Sequence, residues 1–132
     1  MTTSNEERPR VLIVDDEKFI RDILADFLGM EGYVVRTAED GQAALNELTN
    51  AHYDLVISDV RLPGVTGISV LEALRHGNAR GRRSTPVLLM TAFGDERTHA
   101  EAERLGAVLF DKPFDLDEFL DFASTLVLPR SA

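Results

Sequence analysis

Short apolar runs that stop at a polar residue recur along this chain: VLIV (11–14), LVIS (55–58), PVLLM (86–90) and AVLF (107–110). Runs of this length, rich in branched side chains and lacking a helical period, read as buried strands. YVVRT (33–37) adds another strand after the first. Between the strands lie helix-length stretches with apolar positions three and four residues apart. Phe19, Ile20, Ile23, Leu24, Phe27 and Leu28 define a first helix, with Gly29 and Gly32 as its stop. Ala43, Ala44, Leu45 and Leu48 line a second helix, over about 41–50. The turn-rich RLPGVTG leads into a third, over about 68–76, and GNARGRRSTP reads as a loop. A fourth helix, over about 94–105, has few large apolar residues, with Ala100, Ala102 and Leu105 the main ones. Asp115 is placed to cap a last helix carrying Leu116, Phe119, Leu120, Ala123, Leu126 and Val127. Five βα units in this order predict an α/β fold, a five-stranded parallel sheet with helices on both faces and right-handed crossovers. The predicted domain covers 9–128, with residues 1–8 a disordered start and 129–132 a tail or the beginning of a linker.

Bulk properties narrow the class. At 132 residues, 44% hydrophobic and 28% charged, the chain suits one soluble domain with a real core. It has no cysteine, hence no disulfide framework and no thiolate metal site. No apolar run reaches the roughly 18 residues of a membrane span, and MTTSNEERPR lacks a signal-peptide core, so a cytoplasmic protein without membrane contact is expected. The net charge of −9 argues against nucleic acid as a direct partner.

The polar residues that stop the strands carry the chemistry. Asp15-Asp16 follow the first strand, Asp59 the third, Thr91 the fourth, and Asp111-Lys112-Pro113 the fifth. In an open parallel sheet these carboxyl ends converge on one edge, where ligands bind. Three carboxylates, a hydroxyl and an ammonium meeting there suit a divalent cation and a phosphoryl group. Asp59 is the candidate nucleophile, because a carboxylate can form an aspartyl-phosphate. Phosphoryl transfer mainly requires positioning and charge neutralisation, which Lys112, Thr91 Oγ and Mg²⁺ would supply. Ala92 is small enough to leave the phosphoryl group room.

VLIVDDE, DLVISDVRLPGVTG, PVLLMTA and DKPF, in this order, resemble the receiver domain of bacterial two-component response regulators over roughly residues 9–128. The resemblance implies a doubly wound, flavodoxin-like sheet of order 2-1-3-4-5. It also implies a switch that takes a phosphoryl group from a sensor histidine kinase or phosphotransfer protein onto Asp59. Such a domain is a regulatory phosphoacceptor and not an enzyme. Asp16 and Asp59 would ligate Mg²⁺ directly, the backbone carbonyl of Arg61 would be a third protein oxygen, and Asp15 would act through water. The resemblance further implies a cis Lys112–Pro113 peptide bond that aims the ammonium into the pocket. The output face would be the helix 94–105, the strand 107–111 and the helix 115–128, with movement of Thr91 biasing the loop Ala92-Phe93-Gly94. Many receivers have an aromatic switch residue three before the lysine. Here that residue is Leu109, and Phe110 stands two before Lys112. Either a bulge moves Phe110 into the switch position, or Leu109 occupies it and no aromatic gate exists; a regular strand favours the second.

Plainer readings compete. Asp15-Asp16 could cap a helix and Asp59 could serve its Pro-Gly turn, and it is the full set of motifs that outweighs both. His52, His76 and His99 read as ordinary surface residues. Arg75, Arg80, Arg82 and Arg83 read as a solvated basic loop, with docking of an acidic partner as the lesser alternative. A haloacid-dehalogenase-type hydrolase would also use an aspartyl-phosphate but needs Asp-x-Asp; Arg61 and Lys18 stand where the second aspartate belongs. A flavin module needs a hydroxyl- or glycine-rich phosphate loop where this chain has DDEKF.

Overall fold

A computed structural model describes residues 8–76, 85–92 and 94–128. Five strands alternate with five helices: β1 (Arg10–Val14), α1 (Lys18–Met30), β2 (Val34–Ala38), α2 (Gly41–Asn50), β3 (Leu55–Asp59), α3 (Gly67–His76), β4 (Val87–Thr91), α4 (Glu96–Arg104), β5 (Val108–Asp111) and α5 (Leu116–Leu126). All strand pairs are parallel, as the alternation of elements predicts, and the order is β2-β1-β3-β4-β5, as the resemblance implies. Among the described residues no helix is long and apolar enough to cross a membrane.

Strand alternation divides the core in two. Leu12, Val14, Val56 and Leu89 face one side, with Leu48 of α2, Leu71 and Leu74 of α3, and Ala102 and Leu105 at α4. Val11, Ile13, Leu55, Ile57, Leu88 and Met90 face the other, with Leu24 and Leu28 of α1 and Phe119 and Ala123 of α5. The central strands β3 and β4 are buried at every position, which is why residues 55–57 and 87–90 are continuous apolar runs and do not alternate. Each fully buried leucine or isoleucine contributes roughly 1.5–3 kcal/mol.

Several boundaries move. The first helix passes through Gly29 to Met30, because a Cβ at Gly29 would meet open space and nothing there demands a stop. Gly32, at φ 104°, provides the left-handed residue beyond the helix end. The fourth helix starts at Glu96 and not at 94, since Asp95 caps it by accepting from Thr98 N–H. Asp115 caps α5 as predicted, accepting from Asp117 and Glu118 N–H. The proposed start (1–8, of which only Arg8 is described), the tail at 129–132, Phe93, and Arg80, Arg82 and Arg83 of the basic loop lie outside the described residues. Arg75 is no part of a solvated patch: its half-buried guanidinium donates to Leu105 O (2.7 Å), Thr85 O (2.7 Å) and Gly106 O (3.4 Å).

Candidate phosphoacceptor site

The carboxyl ends of β1, β3 and β5 bring three of the predicted residues into contact. Asp15 follows β1 and is fully buried; Asp59 ends β3 and is 8% exposed. Lys112 follows β5 and sits between them, Nζ donating to Asp59 Oδ2 at 2.7 Å and lying 3.6 Å from Asp15 Oδ2. The cis Lys112–Pro113 bond is present. Lys112 N–H also donates to Thr91 O at 2.7 Å, which extends the β4–β5 ladder to the lysine itself. Thr91, buried at the end of β4, and the small exposed Ala92 complete the edge.

Each carboxylate has one oxygen held by the backbone. Asp15 Oδ1 accepts from Glu17 N–H (2.9 Å), and Asp59 Oδ1 accepts from Arg61 N–H (3.0 Å). Asp15 Oδ2 is buried without any hydrogen-bond partner. A buried, unsatisfied carboxylate oxygen is costly, and a cation is the partner its charge calls for. Burial pushes the Asp15 carboxyl above the usual range; the Glu17 N–H and Lys112 pull it back only in part, while Asp59 and Glu17 push it further up. Burial alone would weaken the Lys112 ammonium, but the hydrogen bond to Asp59 and the charges of Asp59, Asp15 and Glu17 outweigh it, so its pKa rises.

Asp16 is exposed at the rim, and its carboxylate groups with those of Asp15 and Glu17 within 4.8 Å. Glu17 is a residue that sequence reasoning passed over, although it completes the acidic DDE triplet. Arg21 was passed over as well: its guanidinium donates to Asp15 O at 2.7 Å and so braces the turn after β1. An apolar cleft of about 400 Å³, lined by Ile20, Ala92, Lys112, Pro113 and Phe114, opens beside the ammonium. The three histidines are exposed, as expected.

β5 is regular. Leu88, Leu89, Met90 and Thr91 pair in sequence with Val108, Leu109, Phe110 and Asp111, without a bulge. Leu109 therefore packs on the side of α2, α3 and α4. Phe110 turns to the opposite side, edge-on to Phe114 (5.9 Å), Phe119 (5.6 Å) and Phe122 (5.4 Å).

The family model of the response regulator receiver domain matches residues 11–124. Regulatory protein AtoC of Escherichia coli K12 is 42% identical over 112 residues, covering 83% of this chain and 23% of that protein. Sporulation initiation phosphotransferase F of Bacillus subtilis is 38% identical, covering 85% of this chain and 88% of that protein. This chain thus spans about a quarter of the first relative and most of the second. Among solved structures, chemotaxis protein CheY4 of Vibrio cholerae superimposes with a TM-score of 0.80 at 32% identity, over 90% of this chain and 98% of that one. TrrA of Thermotoga maritima, in complex with Mg²⁺-BeF, gives 0.76 at 33% identity, over 90% and 99%. With strand order, strand-end chemistry and family model in agreement, this chain belongs to the receiver domains of response regulators and is a regulatory domain of phosphorylation-dependent signalling.

Proposed function

We propose that Asp59 is the phosphoacceptor and that the domain takes its phosphoryl group from a sensor histidine kinase or a phosphotransfer protein. The observation that carries this reading is the Lys112 ammonium held between Asp59 and Asp15, 3.6 Å from a buried Asp15 oxygen that has no hydrogen bond. A carboxylate oxygen of Asp59 forms the new bond to phosphorus as the bond from phosphorus to the donor imidazole nitrogen breaks, and the nitrogen keeps the electron pair. The backbone N–H of Arg61 fixes the Asp59 carboxylate, so the nucleophile is oriented before the donor arrives. Lys112 shifts from carboxylate to phosphoryl oxygen as charge moves there, and the Thr91 hydroxyl donates to another.

Asp15, Asp16, Asp59 and the backbone carbonyl of Arg61 would hold Mg²⁺, and Glu17 lies close enough to tune that site. When bound, the ion neutralises the charge gathered on the phosphoryl oxygens. The structural neighbour in complex with Mg²⁺-BeF supports this assignment. The output partner would read the face formed by α4, β5 and α5, with Leu109 in the position that many receivers give to an aromatic ring. Incubation with acetyl phosphate and Mg²⁺, followed by intact-mass and peptide analysis, tests the proposal. One phosphoryl group, labile to alkali and to hydroxylamine as an acyl phosphate must be, should appear on Asp59 and disappear in Asp59→Asn; labelling of that variant at the parent level would move the acceptor elsewhere.

A further inference from the structure

Gly41 and Gly67 open α2 and α3, where the low helix propensity of glycine brings no gain. Neither has the positive φ that explains Gly32, Gly64 and Gly106. What each lacks room for is a side chain. A Cβ on Gly67 would collide with Asp59 O and lie 3.1 Å from Asp59 C and 3.0 Å from Val60 Cα. A Cβ on Gly41 would collide with Val65 O and lie 2.9 Å from Val65 C. The nearest obstacle in each case is a backbone carbonyl oxygen, joined at Gly41 by the Val65 Cβ, and neither can rotate aside as the far end of a side chain does.

The two contacts fall on the same segment, the stretch that runs from Asp59 to Gly67. Its near end is tied to the sheet by Val60 N–H to Met90 O (2.8 Å), and its two ends are joined by Gly67 N–H to Val60 O (2.9 Å). The buried Ser58 hydroxyl donates to the same Asp59 carbonyl (2.9 Å) that Gly67 presses upon. The Asp59 carbonyl is thus held by a hydroxyl and backed by a helix end, while its carboxylate is set by Arg61 N–H two residues on.

We propose that Gly67, with Gly41 at the far end of the loop, is a positioning residue for Asp59: helices seated without side chains against the 59–66 backbone fix the direction of the acceptor carboxylate. This rests on the reading of Asp59 as acceptor. A methyl group at 67 must push the Asp59 carbonyl and Val60 outward, which rotates the carboxylate away from Lys112. Misplacement of that order lowers transfer rates by roughly 10- to 100-fold.

The test compares Gly67→Ala, Gly41→Ala and, as a control in open space, Gly29→Ala. Phosphorylation by acetyl phosphate is followed well below each variant's melting temperature, over a range of donor concentrations. Gly67→Ala should lose roughly 10-fold or more in limiting rate with an unchanged half-saturating donor concentration, Gly41→Ala should lose less, and Gly29→Ala should match the parent. A merely structural role would lower the melting temperature and leave the limiting rate intact, and that result in Gly67→Ala would overturn the proposal. Should Gly67→Ala fail to fold, Gly41→Ala decides alone, a parental rate counting against the clamp. The second readout is amide NMR without metal or donor. The Arg61 amide should lose its protected, hydrogen-bonded character in Gly67→Ala, and its persistence refutes the clamp. Because that readout needs no phosphorylation, a parent protein that never labels on Asp59 would sink the functional reading alone.

Discussion

Replacing Lys112 by Met removes the ammonium held between two buried carboxylates and isolates its energetic role. In the parent, Nζ lies 2.7 Å from Asp59 Oδ2 and 3.6 Å from Asp15 Oδ2, and the lysine side chain is 22% exposed. At an effective dielectric constant of about 20, unit charges at these separations attract by roughly 6 and 5 kcal/mol before desolvation is subtracted. Breaking one partner out of a buried pair leaves about 3–5 kcal/mol of destabilisation, and partial exposure lowers this site to about 2–3 kcal/mol. For a domain of this size that corresponds to a fall of roughly 6–12 °C in Tm. The loss must depend on pH. Burial raises the Asp15 carboxyl, so the difference between parent and Lys112→Met should be full near neutral pH, where Asp15 is charged, and shrink in acid, where it is protonated. Urea unfolding with a chelator present, at neutral and at acid pH, measures it. Adding Asp59→Asn to Lys112→Met should recover about 1–3 kcal/mol of the loss, the range expected for coupling between contacting groups. A loss that is independent of pH, or a double variant that is simply additive, would show that Lys112 acts by packing and not by charge.

Two further outcomes follow from the buried ionisable groups. Asp15→Asn should raise metal-free stability by roughly 1 kcal/mol near neutral pH, the scale of a buried polar group's desolvation. Burial raises the Asp15 pKa in the fold, so its charged form is the destabilising one, and the gain must vanish at low pH where Asp15 is protonated in both states. The same variant should respond less to Mg²⁺ in a thermal melt; a full response would place the ion elsewhere. The chain has two tyrosines and no tryptophan, so phenolate absorbance reports on Tyr33 and Tyr53 alone. Burial pushes both up to about 12, with Tyr33 donating to Val127 O and Tyr53 to Glu47 Oε1. Their contribution is complete below the unfolded value of 10.0 and is lost as pH climbs to about 12, roughly 2–3 kcal/mol for each residue. Ionisation of either one near pH 10 while the fold persists would contradict their burial.

The inner strands were legible because burial on both faces forces continuous apolar runs, and the candidate site was legible because strand-end residues have one place to go. Helix limits were less legible. Gly29 looks like a stop only if one assumes that glycine always ends a helix, whereas in the fold it faces solvent within α1. Residue roles that depend on a distant backbone left little local signal. Arg75 reads as one arginine in a basic stretch, yet two of its three carbonyl partners lie about thirty residues ahead, just beyond α4, and the third is Thr85 O. Gly67 reads as part of a turn, and its contact with the Asp59 carbonyl exists only after α3 docks. Glu17 could have been found, since it stands beside two assigned aspartates.

The direction taken by β5 determines which helix is free to respond. With regular pairing, Phe110 is committed to a four-ring cluster in which Phe114 and Phe119 also stack at 4.9 Å, and this cluster holds α5 to the sheet. Leu109 points to the other side, towards α4, whose own buried residue is Ala102, with Leu105 just beyond its end. Aromatic pairs add about 0.5–1.5 kcal/mol each beyond their buried area, so α5 is anchored far more firmly than α4. A change at Thr91 should therefore be absorbed by α4 and not by α5. Hydrogen exchange without phosphoryl donor should show α4 amides exchanging faster than those of α5. Addition of beryllofluoride and Mg²⁺ should then change α4 protection most and leave the amides around Phe119 and Ala123 nearly constant. Equal protection of the two helices at rest, or a response centred on α5, would mean that the phenylalanine cluster is not the fixed side of this switch.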